Sequence, residues 1–288
     1  MKRYFRFLLL LSTLALLPAQ GMGMGAAAQT PKAETIPERE TVIDITVDGQ
    51  ENTASFVGIA RLTFPPGTAI IGGTIAGNRL FLIESGFFTF VVDSPAVIHQ
   101  QGDPEREIVV ASGASGEARP GDLVIVTGNP PFTVTNEDSA PSVLLDIVIW
   151  PPIREQVRPF VTEAGVIFEP LVIGDVELFP SSAVRIVLEH YSLARDARTT
   201  LEPAEGPLLL YIDSGRLGLH STGGEMSYSS AAANAPGSIA GRIRELSPGR
   251  EAVLTAGGAA VLHSGSSGIA RNLGRTALDI MELRFEPA

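Results

Sequence analysis

Histidine and carboxylate side chains are the groups of this chain that could take part in acid–base or metal chemistry. The 288 residues include four histidines and no cysteine, which excludes disulfides, thiol catalysis and cysteine-based metal sites. The G-x-S-x-G motif of serine hydrolases, the G-x-x-x-x-G-K-[ST] phosphate-binding loop and the H-E-x-x-H zinc motif are also missing. No local motif therefore assigns a catalytic class, and longer spacings have to be compared.

Two stretches of the chain share one set of spacings. Each stretch contains two motifs. The first motif has Gly67, Gly73, Ile75, Arg79 and Gly86 in one stretch, and Asp196, Glu202, Ala204, Leu208 and Gly215 at the same spacing in the other. The second motif has Gly121, Thr127, Asn129, Phe132 and Asn136 in one stretch, and Gly257, His263, Gly265, Gly268 and Asn272 in the other. The two copies of the first motif lie 129 residues apart, and the two copies of the second motif lie 136 residues apart. Gly86 and Gly215 end Glu-Ser-Gly and Asp-Ser-Gly turns, where a positive φ favours glycine.

These spacings resemble the two motifs of the cupin family, G-x5-H-x-H-x3-E-x6-G and G-x5-P-x-G-x2-H-x3-N, over about residues 40–288. The resemblance implies an all-β chain of two consecutive cupin-type barrels, each a jelly-roll-like double-stranded β-helix. It also implies that the halves exchange strands and that the protein forms a homodimer. Residue identity agrees only at turn positions, so the resemblance predicts a fold and hardly an activity.

In metal-loaded cupins, two histidines and a glutamate of the first motif and a histidine of the second hold Fe, Mn, Zn or Ni. This chain has other residues at those positions: Gly73, Ile75, Arg79 and Phe132 in the first half, and Glu202, Ala204, Leu208 and Gly268 in the second. A single carboxylate does not supply the three or four ligands of such a site. We therefore predict no metal ion or other cofactor in either half.

The replacing residues predict what fills each barrel. Ile75 and Phe132 are bulky and apolar, so they should fill the first barrel, gaining about 1.5–3 kcal/mol for each side chain buried. Arg79 needs a buried partner, or else it extends to the rim. In the second half, the small Ala204 and Gly268 should leave room beside Glu202 for water or a small ligand.

Three residues of the second half are candidate ligand-binding groups: Glu202, His263 and His190. His263 is expected at the barrel rim, where it could approach Glu202 and exchange protons with it. His190 shares a strand face with Ile186 and Leu188 and is expected to point into the second barrel. The alternatives are an edge histidine bonded to a carbonyl group and a satisfied core histidine, so no catalytic residue is assigned.

The N-terminus has the layout of a secretory signal. Lys2, Arg3 and Arg6 precede an apolar run over residues 7–17, and residues 26–28 supply small side chains for cleavage. We expect residues 1–28 to be removed and the protein to be secreted or otherwise extracytoplasmic. The alternative is a signal that is kept as a membrane anchor.

The charge of the chain is acidic and scattered. Loss of the three basic residues of the signal changes the formal net charge from −11 to −14. Such a surface repels nucleic acid and anionic lipid headgroups, so we expect neither nucleic acid nor membrane as a partner of the mature chain.

Almost every periodic segment alternates with a period of two, which is typical of half-buried strands. Strands are predicted over residues 41–47, 59–64, 80–83, 87–92, 107–110, 123–126, 143–149, 165–178, 183–193, 208–212, 216–220, 252–254, 259–262 and 277–285. The loop between the motifs is predicted over residues 221–247, with a counterpart near 100–119. The domains predicted are a disordered linker at 29–40, barrels at 41–150 and 165–288, and a connector at 151–164.

From these observations we expect a secreted, non-catalytic two-barrel protein whose second barrel binds a small polar molecule. A metal-dependent oxygenase or isomerase that uses Glu202, His190 and His263 is the first alternative. A structural or storage-type protein of two cupin barrels is the second, and the sequence leaves all three open.

Overall fold

The computed structural model describes residues 37–47, 55–72, 77–101, 103–128, 130–150, 165–176, 183–230 and 243–288. Within these ranges the regular structure consists of strands alone. No helix of this part of the chain is long and apolar enough to span a membrane. The expectation of an all-β protein is confirmed.

Eleven strands belong to the first half of the sequence. They are β1 Arg39–Val47, β2 Ser55–Phe64, β3 Ala69–Gly72, β4 Asn78–Ser85, β5 Phe88–Val92, β6 Ala96–Gln100, β7 Asp103–Val110, β8 Ser115–Ala118, β9 Leu123–Val126, β10 Phe132–Asn136 and β11 Ser142–Trp150. Eleven more follow: β12 Ile167–Val176, β13 Val184–Leu193, β14 Arg198–Leu201, β15 Leu208–Ser214, β16 Arg216–Gly223, β17 Met226–Ser229, β18 Arg244–Leu246, β19 Glu251–Thr255, β20 Ala259–Leu262, β21 Ser267–Asn272 and β22 Leu278–Pro287.

The strands form two large and two small antiparallel sheets. The first large sheet has the order β12-β2-β11-β4-β9-β6-β7, and the first small sheet has the order β3-β10-β5-β8. The second large sheet has the order β1-β13-β22-β15-β20-β17-β18, and the second small sheet has the order β14-β21-β16-β19. The orders match strand by strand, so the two halves repeat one topology.

Three apolar cores separate the four sheets. One core lies between the first large and first small sheets and defines the first barrel. A second core lies between the second large and second small sheets and defines the second barrel. The third core joins the two large sheets face to face. Both faces of each large sheet are therefore buried, one toward its own barrel and one toward the other half.

Each half contributes its first strand to the other half. β1 pairs with β13 of the second large sheet, and β12 pairs with β2 of the first large sheet. This is the strand exchange expected from the sequence. β1 begins at Arg39, so the last two residues of the predicted linker belong to a strand instead.

The turn residues shared by the two copies have the same structural role in both. Gly86 and Gly215 have φ angles of 87° and 94°, as predicted. A Cβ at Gly86 would lie 1.8 Å from Ser142 Oγ, so both the space and the backbone require glycine.

The asparagine that ends each second motif is also structural. Asn136 donates from Nδ2 to the carbonyl oxygens of Phe64 (2.9 Å) and Ala140 (3.0 Å). Asn272 donates in the same way to those of Leu193 (2.9 Å) and Thr276 (2.8 Å). Each amide joins the end of one strand to the loop before the last strand of its barrel.

Several short strands escaped the sequence prediction. The loop predicted over residues 221–247 contains β17 and β18, and the counterpart near 100–119 contains β8 and the first residues of β7, which begins at Asp103 and not at residue 107 as predicted. β8 and β17 are regular because they pair with β5 and β20, which are distant in sequence, and their own periodicity is too short to predict them.

Candidate functional site

In the first barrel, two of the four positions at which cupins hold a metal are described. Arg79 is 4% exposed, and its guanidinium carbon lies 4.9 Å from the centre of the Phe132 ring, inside the barrel core. Phe132 is buried in that core, as predicted. The alternative that Arg79 extends to the rim is wrong. Gly73 and Ile75 lie outside the described residues.

Arg79 has the buried partner that its charge requires. Its Nε lies 3.1 Å from Oδ1 of Asp146, which is 1% exposed on the neighbouring strand β11. Burial raises the pKa of Asp146 to about 6, and the attraction of Arg79 opposes this. Burial likewise lowers the pKa of Arg79. A guanidinium at this position repels a divalent cation, so the residues of the first barrel do not fit a metal ion.

The second barrel does not fit one either. Leu208 belongs to the apolar core, and the side chain of Glu202 is exposed. A Cβ at Gly268 would lie 2.8 Å from the carbonyl oxygen of His220, so the backbone occupies the space next to Gly268 itself. The space predicted beside Glu202 stays a prediction. Over the described ranges, no three His, Asp or Glu side chains are grouped as a metal site requires.

The three candidate residues of the second half do not form one site. Glu202 and His263 lie on adjacent turns, because Gly265 N donates to the carbonyl oxygen of Ala204 at 2.8 Å. His190 is elsewhere. It shares a strand face with Ile186 and Leu188, and that face packs against the first large sheet instead of pointing into the second barrel. A ligand-binding role of the three side chains stays a prediction.

A different polar group lies inside the second barrel. Glu189 and Glu282 are 7% and 2% exposed, and they stand directly opposite each other on β13 and β22. Their side chains face the barrel core, since Tyr191 and Ile280, two residues along each strand, belong to it. We name Arg39, Glu189, Tyr191, Glu282 and Arg284 the second-barrel cluster.

Two arginines neutralise this pair of carboxylates. Arg39 Nη1 donates to Glu189 Oε2 and to Glu282 Oε1, the latter at 2.9 Å. Its guanidinium also lies 4.4 Å from the centre of the Tyr191 ring. Arg284 Nη2 lies 3.0 Å from Glu189 Oε1 on the other side. Burial alone would lower the pKa of Arg39, but the attraction of Glu282 and the two hydrogen bonds raise it overall.

Three buried atoms of the cluster have no hydrogen-bond partner among the described residues. They are Glu282 Oε2, Tyr191 Oη and Arg284 Nε. Burial and the nearby charge of Glu282 raise the pKa of Tyr191 well above 10, so its hydroxyl stays protonated. An unsatisfied buried polar group costs about 1–3 kcal/mol. These atoms therefore mark a place where water or a polar ligand would add stability.

A cavity of about 710 Å³ opens beside the cluster at the start of β1. Arg39, Tyr191 and Ile280 line it on the barrel side, and acidic groups including Glu38 and Asp213 line it elsewhere. Solvent can therefore approach the ring of Tyr191 and the guanidinium of Arg39.

This cluster is not among the sites that the sequence predicts, and the reason is physical. Glu189 and Glu282 lie in predicted strands among core residues, and this pattern could have marked them as buried. Arg39 lay in the predicted linker, and its partner Glu189 is 150 residues away. Only the exchange of β1 onto β13 brings them together.

Solved structures with a similar fold are cupins. A cupin barrel protein from Leptotrichia buccalis is 10% identical, with 85% of this chain and 89% of that one covered and a TM-score of 0.34. The oxalate decarboxylase of Lactobacillus farciminis is 12% identical, with 88% of each chain covered and a TM-score of 0.40. The 11S globulin of Wrightia tinctoria is 9% identical, with 85% and 83% covered and a TM-score of 0.40.

These three proteins include an enzyme and a globulin, and at this level of similarity no activity, ligand or partner is carried over from them. The sequence matches no protein-family model and no curated protein. The fold is therefore identified from the chain itself. By the order and pairing of its own strands, the chain has an all-β fold of two consecutive cupin-type, jelly-roll-like barrels.

Proposed function

We propose that this protein is a non-catalytic bicupin that binds a small polar molecule in its second barrel, while its first barrel is structural. The observation that carries the proposal is the second-barrel cluster. Glu282 Oε2 and Tyr191 Oη are buried there without a partner, and a cavity opens beside Tyr191. A ligand with matching donors and acceptors would recover the free energy that these atoms forfeit.

The first barrel supports the structural half of the proposal. Its interior is filled by aromatic side chains, with the Phe81 and Phe132 rings 5.4 Å apart between their centres. Its buried charges Arg79 and Asp146 are paired with each other. Such an interior has the close packing of an ordinary protein core.

A thermal-shift screen of small polar molecules tests the binding half. We expect at least one compound to raise the melting temperature of the wild type and to have no effect on Glu282→Gln. A screen that yields no such compound would leave the protein with a structural or storage role.

Elemental analysis of the purified protein tests the absence of a metal centre. We expect Fe, Mn, Zn and Ni all far below one ion per chain. One tightly held ion per chain that is lost in Glu202→Ala would instead support a metal-dependent oxygenase or isomerase.

We further propose that the protein acts outside the cytoplasm. The proposal rests on the signal-like residues 1–28, which lie outside the described part of the chain. N-terminal sequencing of the protein recovered from its native host should begin near Gln29. A chain that retains Met1 and stays in the cytoplasm would contradict it.

A further inference from the structure

We infer that the second barrel contains a binding site for an organic cation of the guanidinium type, and that Arg39 of the chain itself is its present occupant. The inference rests on the proposed ligand-binding role of the second barrel and names the chemical class of the ligand. It follows from the geometry around the Arg39 guanidinium.

The groups around Arg39 are those that recognise a planar cation. Glu189 and Glu282 each accept a hydrogen bond from its Nη1, and the Tyr191 ring lies below the guanidinium carbon at 4.4 Å. Carboxylates bind the guanidinium through charge-assisted hydrogen bonds, and an aromatic face attracts a cation through its quadrupole. The site therefore offers both kinds of contact to one ligand.

The charge of the site favours a cation over an anion. Without Arg39, two carboxylates face one guanidinium, that of Arg284, which leaves a net charge of −1. Glu282 Oε2 is an additional acceptor without a partner. The adjoining cavity adds Glu38, Glu40 and Asp213. An anionic ligand would meet repulsion from most of these groups.

Arg39 is placed so that another cation can replace it. It is the first residue of β1, and β1 is an edge strand that pairs only with β13 among the described strands. The end of an edge strand opens at low free-energy cost compared with a central strand. The cavity reaches Arg39 from the solvent side.

The first barrel shows that the fold does not need this cluster. By strand pairing, the positions of Glu189, Tyr191 and Arg284 are held in the first barrel by Ala60, Leu62 and Val148. Phe168 of β12 lies opposite Leu62, as Arg39 lies opposite Tyr191. Asp146 stands opposite Ala60 as Glu282 stands opposite Glu189, but it is paired with Arg79 of β4 and not with an arginine of the exchanged strand. Among the described residues, an arginine held by two carboxylates and an aromatic ring therefore belongs to the second barrel alone.

Chemical rescue of Arg39→Ala tests the inference. The variant leaves a space for free guanidinium, and the probes are guanidinium and methylguanidinium chloride at millimolar concentration, far below the molar range that unfolds proteins. We expect the variant to melt at a lower temperature than the wild type and to regain most of the difference with either probe. Titration calorimetry should show one site per chain, and binding to the wild type should be at least tenfold weaker because Arg39 competes.

The matched control is Arg185→Ala. Arg185 lies on the same strand and face as Glu189, but it is exposed and pairs with Asp44 and Glu286 at the surface. We expect no rescue of this variant beyond the effect of sodium chloride at equal ionic strength. Arg39→Ala/Glu282→Gln should lose the binding that Arg39→Ala gains.

Three results would overturn the inference. They are rescue no better than with sodium chloride, equal rescue of Arg185→Ala, and binding that survives Glu282→Gln. If Arg39→Ala binds acetate but not guanidinium, the cation assignment fails while the second barrel remains a ligand site. If Arg39→Ala is unfolded alone, refolding it in guanidinium or in sodium chloride decides the matter: recovery of β-structure with guanidinium only supports the site, and equal recovery contradicts it.

Discussion

Glu189 and Glu282 lie directly opposite each other on β13 and β22, with both side chains inside the second barrel. Like charges in such a cross-strand pair destabilise a sheet. Here they are held by Arg39, which comes from the other end of the sequence, and by Arg284. The second barrel thus keeps charge in its interior, whereas most of the equivalent positions in the first barrel are apolar.

The first prediction concerns the buried Arg79–Asp146 pair. Arg79→Met or Asp146→Leu alone leaves a buried charge without its partner, so each should lower the free energy of unfolding by about 3–5 kcal/mol. The double variant Arg79→Met/Asp146→Leu should be close to the wild type or more stable, because paired charges give way to packed apolar groups. Urea unfolding measures all three. If the loss in free energy of unfolding in the double variant equals the sum of the two single losses, the two side chains do not stabilise the protein as an ion pair.

The second prediction concerns pH. Burial raises the pKa of Asp146 from 3.8 to about 6, so the folded state binds more protons than the unfolded state between pH 4 and 6. The contribution of Asp146 to stability therefore falls as the pH rises through this window, and it is constant above it. Compared with Asp146→Asn, the wild type should lose stability from pH 4 to 6.

Unfolding curves of both proteins at several pH values measure this difference. Asp44 and Asp279 have lowered pKa values, so their contributions are lost only at more acidic pH. Burial raises the pKa of Asp213, but Asp213 is present in both proteins, so its contribution cancels in the comparison. A difference between the two proteins that does not change from pH 4 to 7 would contradict the assignment of a raised pKa to Asp146.

The third prediction concerns the two structural asparagines. Asn136→Ala and Asn272→Ala each remove the side-chain donor from one buried carbonyl group and from one part-buried carbonyl group. An unsatisfied buried group costs about 1–3 kcal/mol, so both variants should lose at least this much stability, and by similar amounts. Thermal unfolding measures the loss. If one variant is about as stable as the wild type and the other is much less stable, the asparagine stabilises only one of the two barrels.

The parts of the fold that could be predicted from sequence are the local ones. Gly86 and Gly215 are required by the turn geometry itself, and strands such as Leu123–Val126 and Ala259–Leu262 are short apolar runs that can be recognised within a few residues. Asp146 also gave a signal, as a charged residue between Leu144 and Val148 in a predicted strand.

The parts that could not be predicted depend on pairing between distant segments. The direction of His190 cannot be predicted because both faces of β13 are buried, and a period of two does not tell which face points into the barrel. Arg39 became part of the candidate site only through the exchange of β1 onto the other half.

Binding measured by titration calorimetry on two variants tests the central claim most directly. The ligand is the compound that most stabilises the wild type in the screen. We predict that Glu282→Gln weakens its binding at least tenfold, while Glu202→Gln, at the exposed cupin-motif position, leaves it unchanged. Binding that is lost in Glu202→Gln and kept in Glu282→Gln would contradict the account, because it would place the site at the motif position and not at the second-barrel cluster.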